Sequence, residues 1–238
     1  AGSVLGVSTT VVMPATTPAN YVEATRGYGG AVEFVDDIAA AIDRSHELGL
    51  AGATIAHPFD HPAMMAGDGT LGLEVVEDVP ELTDVFISVG GGGLITGVGS
   101  AIHALRPEAR IWAVETDGAQ VLHDSLAAGR ALSMTPTSLA RTLGSPYLSD
   151  VAYDFASQHA HRSLVVTDAM AYAAAVHLLE RAKVLPELAA ACTLAAFQTV
   201  AERLGPSDHV VLVQCGGNVS VADLFDYQQR FAAATPPG

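Results

Sequence analysis

Two glycine clusters, each closing an apolar run, are the residues best suited to chemistry. Gly90-Gly91-Gly92-Gly93 follows Asp84 to Val89 (DVFISV) and precedes an apolar stretch that begins at Leu94. Without Cβ atoms, successive N–H groups can converge on one anion, and a helix N-terminus behind them adds positive potential. A phosphate monoester is the natural guest. A turn required only by packing is the alternative, but four consecutive glycines cost more backbone entropy than packing alone warrants. A dinucleotide loop would need Gly-x-Gly-x-x-Gly, and both registers here fail at Ile95 or Thr96; Glu115, ending the next strand, keeps that rival open. The second cluster is Cys215-Gly216-Gly217-Asn218. Cys215 offers a small, weak donor or acceptor, or else a buried apolar residue. In an open α/β sheet both clusters would lie outside the carboxyl ends of the strands, where ligands bind.

Other reactive residues are sparse. Lys183 is the only lysine among the 11 basic residues, and a solvated position near a helix end suits it better than a nucleophilic role. His57 and His61 stand four apart, but Pro58 and Pro62 break the helix that metal binding at that spacing needs. His159 and His161 read as exposed. No nucleophile elbow accompanies a Ser-His-Asp set. The acidic runs at Asp36–Asp37 and at Glu74, Glu77 and Asp78 read as solvated helix faces.

The elements that must position the clusters alternate strand and helix. Strands are expected at 9–13, 31–35, 52–56, 84–89, 110–114, 163–167 and 209–213. Helices are expected from the Thr17-Pro18 cap to Gly29, over 37–48, 63–65, 71–77 and up to Leu105. Further helices start at Ala119, at Asp168 (reaching Ala182) and over 189–204. Residues 133–150 read as a long connection with three prolines. This is an α/β pattern: open, mostly parallel twisted sheets with helices on both faces, in two domains. The boundary falls at the proline-punctuated His57–Pro62, giving a small α/β domain at 1–57 and a larger one at 58–231. A Pro-rich tail at 232–238 is expected to be disordered.

Composition bounds the partners. The 238 residues carry 26 acidic and 11 basic side chains, a net charge of −15. Nucleic acid and anionic membrane surfaces both call for clustered Lys and Arg, so neither is expected. Half the residues are hydrophobic, enough for a core, yet no run reaches the ~18 residues of a membrane span. Two cysteines are too few for a disulfide framework and fit the reducing cytoplasm.

The ordered set VVMPATTP, VEATRGYGG, HPFDHP, AGDGT, SVGGGGLITG and QCGGN resembles the serine/threonine dehydratase family. These are pyridoxal-phosphate enzymes of the tryptophan-synthase-β fold type (fold type II). The likeness runs from Leu5 to about Phe225, and PTSLARTLGSP (136–146) also fits it. The resemblance implies that Gly90, Gly91, Gly92 and Gly93 cradle the cofactor phosphate and that Leu94 starts the helix aimed at it. Cys215 would face the pyridine nitrogen, Gly216 would leave backbone room, and Asn218 would stiffen the turn. It further implies a threonine or serine ammonia-lyase that yields a 2-oxo acid and ammonia. A serine racemase or hydroxyaspartate dehydratase on the same scaffold is the alternative, or a non-catalytic binding protein. A small hydroxy amino acid would be the substrate, and a homo-oligomer the assembly.

Several positions depart from the family pattern. Glu115 and Ala119 sit where some members bind a divalent cation, but the third position is Val121, so no metal is expected. Asp68 replaces a glutamine, and the segment from Lys183 to Ala190 keeps only Glu187 of a Glu-Pro-Ala-Gly stretch. The family's Schiff-base lysine, in Ser-x-Lys-x-Arg-Gly, and its Ser-Gly-Asn-His loop have no counterpart. The resemblance therefore implies a chain with no catalytic residue of its own, inactive alone: first a truncated enzyme, otherwise one completed by a partner that carries the lysine, or a degenerate homologue.

Overall fold

The computed structural model describes residues 1–231, so the expected tail at 232–238 lies outside the described residues. The chain divides into two compact units, Ala1–Ala56 and the remainder from His57.

The first unit holds β1 (Thr10–Pro14), α1 (Ala19–Gly27), β2 (Ala31–Val35) and α2 (Ile38–Leu50). β1 and β2 pair in parallel from Thr10 opposite Ala31 to Pro14 opposite Val35. Pro18, not Thr17, occupies the cap of α1, and no side chain bonds there. Asp37 caps α2 by accepting the Ala40 N–H at 2.8 Å. The strand expected at 52–56 does not form. Gly52 adopts φ +104° and Ala53 donates to the Leu48 carbonyl at 3.0 Å, so these residues end α2 instead.

In the second unit, α3 (Pro62–Asp78) is one helix where two short ones were expected. Its glycines are a contact device. A Cβ on Gly72 would come within 2.6 Å of the Val98 carbonyl and 2.9 Å of Ala101 Cβ on α4 (Gly93–Leu105). Close helix approach thus offsets the usual glycine penalty of ~1 kcal/mol. β3 (Asp84–Ser88), β4 (Arg110–Thr116), β5 (Ala160–Val166) and β6 (Val210–Leu212) form a parallel sheet in the order β5-β4-β3-β6. Between β4 and β5 come α5 (Val121–Ala128) and α6 (Asp150–His159); α6 occupies residues left unassigned from sequence. α7 (Asp168–His177) and α8 (Leu188–Val200) follow β5, and α9 (Val221–Phe231) follows β6.

β3 is the centre of the core, with all five residues buried. Phe86 and Trp112 stack at 5.1 Å among side chains of α7 and α8, while Val85 and Ile87 point to the cluster containing α4 and α6. At the start of β3, the buried Asp84 carboxylate accepts from Arg110 (2.6 Å), Trp112 Nε1 (2.7 Å) and Thr83 (2.7 Å). Thr167, rather than Asp168, caps α7 by accepting the Met170 N–H at 3.2 Å. Asp168 instead ties the long connection down, accepting from the Ser138 hydroxyl (2.6 Å) and the Leu139 N–H (2.8 Å).

Candidate functional site

The β3 turn is built so that its carbonyls are occupied and its amides are not. Gly91 O accepts the Ser149 N–H at 3.2 Å. Gly92 O accepts both the Thr96 N–H (3.1 Å) and the Thr96 hydroxyl (2.7 Å). Among the described residues, no acceptor receives the N–H groups of Gly90 through Ile95. Gly91, Gly92 and Gly93 are nonetheless buried. Six successive unpartnered donors at the head of α4 give an electropositive helix end, the chemistry that suits an anion with several oxygens.

The glycines also answer to packing. Gly92 takes φ +97°, in the left-handed region, and a Cβ there would overlap Ala152. On Gly91 it would overlap the Phe59 ring, and on Gly93 it would stand 2.8 Å from Phe59 Cα. The turn is thus packed by Phe59 and Ala152, and its N–H groups from Gly90 to Ile95 have no acceptor among the described residues.

Phe59 belongs to the HPFDHP segment, whose histidines are structural. His57 is buried, and its Nδ1 accepts the N–H groups of Phe59 (3.3 Å) and Asp60 (2.9 Å). His61 caps α3, accepting the Ala63 N–H at 3.1 Å. The Phe59 ring packs edge-on against Tyr147 at 5.0 Å, and Tyr147 donates to Asp60 at 3.3 Å. Burial and the Asp60 charge push the Tyr147 hydroxyl up to about 12.

The second cluster leaves β6 beside this turn. Val213 donates to the Phe86 carbonyl at 3.1 Å, the last backbone bond between the two strands. Two residues on, Cys215 Sγ lies 3.4 Å from Ser88 Oγ. Cys215 is exposed as a residue, while desolvation of its sulfur raises the thiol above its ordinary range. At neutral pH it is therefore an uncharged hydrogen-bonding group. Gly216 is pinned from outside: the Glu187 N–H donates to its carbonyl at 3.1 Å, and a Cβ there would overlap the Glu187 carboxylate. Glu187 in turn accepts the Thr142 hydroxyl at 2.6 Å, and desolvation raises its pKa. The Thr142 carbonyl stands 3.3 Å from where a side chain on Gly90 would begin, so the 133–150 connection meets the β3 turn directly and the second turn through Glu187. Asn218 is exposed at the surface.

Glu115 and Lys183 lie elsewhere in role. Both Glu115 oxygens are taken by the Leu122 (2.7 Å) and His123 (2.8 Å) N–H groups at the head of α5. Burial pushes its pKa up to about 8 against those two bonds. The carboxylate is not free for a ribose hydroxyl, so the dinucleotide rival falls. Lys183 is exposed just past a helical turn, Leu178–Ala182, that continues from α7, with φ +60° and Nζ donating to the Glu180 carbonyl at 2.8 Å. His161 is exposed as expected, whereas His159 is half-buried against His103 at 4.1 Å. Ser88, Phe59 and the Thr142–Glu187 pair went unread in the sequence. Only Ser88 left a signal, as the one hydroxyl at the end of a strand that is apolar after Asp84.

The sequence profile of the family described as pyridoxal-phosphate dependent enzyme matches residues 1–216. The chain belongs to that family. It is 37% identical over 225 residues to an L-threonine ammonia-lyase of Geobacter sulfurreducens, covering 91% of this chain and 54% of that protein. It is 34% identical over 228 residues to an L-threonine ammonia-lyase of Thermotoga maritima, covering 93% and 55%. The chain thus spans about half the length of these curated relatives. Among solved structures, maize serine racemase superposes with a TM-score of 0.86 at 27% identity, over 98% of this chain and 73% of that one. The parallel α/β architecture is therefore that of fold type II. No described helix is long and apolar enough to cross a membrane.

Proposed function

We propose that this chain supplies the cofactor-binding part of an ammonia-lyase acting on L-threonine or L-serine. The unit from His57 onward is the cofactor domain in this reading. Its single strongest support is the row of unpartnered N–H groups from Gly90 to Ile95, in a chain with L-threonine ammonia-lyases as relatives.

The residues present fit pyridoxal 5′-phosphate. Gly90, Gly91, Gly92, Gly93 and Leu94 would hold the phosphate through their N–H groups, with α4 adding its positive end. Cys215 would meet the pyridine nitrogen as a neutral group, and Gly216 and Asn218 would shape the turn around it. When bound, the cofactor supplies the electron sink for loss of the α-proton and the β-hydroxyl. The chain's own residues bind and orient. A thiol rather than a carboxylate at the nitrogen leaves the ring unprotonated, which favours β-elimination over long-lived carbanion storage. A homo-oligomer in the cytoplasm completes the reading, consistent with two free cysteines.

The test is 2-oxo acid release from L-threonine and L-serine by the full-length protein, with pyridoxal 5′-phosphate added. Formation of 2-oxobutanoate or pyruvate with equimolar ammonia is expected. The superposition on serine racemase favours a second reading, racemisation. Inversion of the amino acid without 2-oxo acid would select it and overturn the first.

A further inference from the structure

The β3–β6 ladder stops short of the site it supports. Backbone pairing runs from Asp84 opposite Val210 to Phe86 opposite Leu212, and the Val213 N–H adds one last bond to Phe86 O. The functional turns begin beyond that point, at Gly90 and at Cys215. Between the end of the ladder and the turns, the contact that bridges the two strand ends is Ser88 Oγ to Cys215 Sγ at 3.4 Å. Ser88 is 3% exposed at the end of a wholly buried strand. A hydroxyl so buried needs a partner, and the sulfur provides it.

We propose that Ser88 is a positioning residue, which fixes the Cys215 thiol by a hydrogen bond across the strand ends and so sets its direction relative to the glycine turn. The inference rests on the reading of Cys215 as the partner of the pyridine nitrogen. Ser88 shares the sheet face of Asp84 and Phe86, the face that packs on α8. From there its hydroxyl approaches the sulfur from within the protein, leaving the exposed side of Cys215 toward solvent or a ligand. A hydroxyl donating to sulfur favours the thiolate over the thiol, in line with the direction in which Ser88 moves this cysteine.

The experiment is the pH profile of iodoacetamide alkylation at Cys215 in the full chain, read by peptide mass so that buried Cys192 is counted separately. Ser88→Ala is expected to shift the Cys215 profile to higher pH. Alkylation below the midpoint should slow about three- to tenfold, the span of one hydrogen bond. Ser88→Thr, which keeps the hydroxyl, is expected to restore the wild-type profile. A Ser88→Ala profile that is unchanged, or displaced to lower pH, overturns the proposal. So does a Ser88→Thr profile displaced from wild type to higher pH, the comparison that decides should the alanine variant prove unstable. Added pyridoxal 5′-phosphate gives the separate arm: protection of Cys215 from alkylation supports the cofactor reading. Its absence would sink that reading while leaving the Ser88–Cys215 link to stand or fall on the profiles.

Discussion

The two turns at the carboxyl edge of the sheet are held in opposite ways. The β3 turn grows from a strand buried along its whole length, with Gly91 to Gly93 buried and its carbonyls bonded to Ser149 and Thr96. The β6 turn grows from a three-residue, half-buried edge strand, and Cys215, Gly217 and Asn218 are exposed. The first is fixed by the core; the second hangs on the Ser88 hydroxyl at Cys215 and the Glu187 backbone N–H at Gly216, with Glu187 itself tied to Thr142. In the proposed function this difference suits two tasks. A phosphate needs many donors set in advance, so that little ordering is left for binding. A ring nitrogen needs one neutral group at the right place, which a local hydrogen bond can set.

This contrast says that damage to the β3 turn should reach the whole unit, and damage to the β6 turn should stay local. Gly92→Ala is the severest case, because φ +97° is unfavourable for alanine and its Cβ would overlap Ala152. Urea unfolding should show a loss of about 3 kcal/mol, strain and overpacking together. A loss below ~1 kcal/mol would mean that the turn is not core-fixed at all.

Glu115→Gln sharpens the comparison through pH. The buried carboxylate titrates near 8 in the fold against an ordinary 4.5, so the stability tied to its protonated form is full below about 4.5. That stability is lost as the pH rises through about 8. The wild type should therefore lose stability from pH 5 to 8 relative to Glu115→Gln, measured as melting temperature. The reverse slope would mean that the two α5 amides outweigh burial.

Thr142→Ala should be the mildest change. It removes the hydroxyl that Glu187 accepts, and should cost about 1 kcal/mol, or roughly 2–4 °C in a chain of this size. Affinity for pyridoxal 5′-phosphate, by equilibrium dialysis, should fall without unfolding. A loss as large as that of Gly92→Ala would erase the distinction between the turns.

Much of this architecture was legible because backbone chemistry wrote it locally. β2 at 31–35 is the strand expected, and DVFISV followed by four glycines and an apolar stretch gave strand, turn and helix in their true order. What was missed depends on partners distant in sequence. A strand at 52–56 needs a neighbour, and Gly52 was drawn into ending α2. Splitting α3 at its glycines ignored α4, which approaches Gly72 too closely for any side chain. α9 did carry a local sign that was passed over: Ser220 and Asp223 bond each other's backbone amides as a capping pair. At the site, the glycines and Cys215 could be picked out by type, whereas Phe59, Thr142 and Glu187 could not. Their importance lies in which turn they touch, and that is set by the fold.

The most direct test of the central claim is calorimetric binding of pyridoxine 5′-phosphate against pyridoxine. Neither carries an aldehyde, so Lys183 cannot capture them covalently. The account predicts binding of the phosphate ester about tenfold tighter or more, through charge-assisted bonds to the Gly90–Ile95 amides, with inorganic phosphate competing. Equal affinity for the two, or indifference to inorganic phosphate, would contradict it.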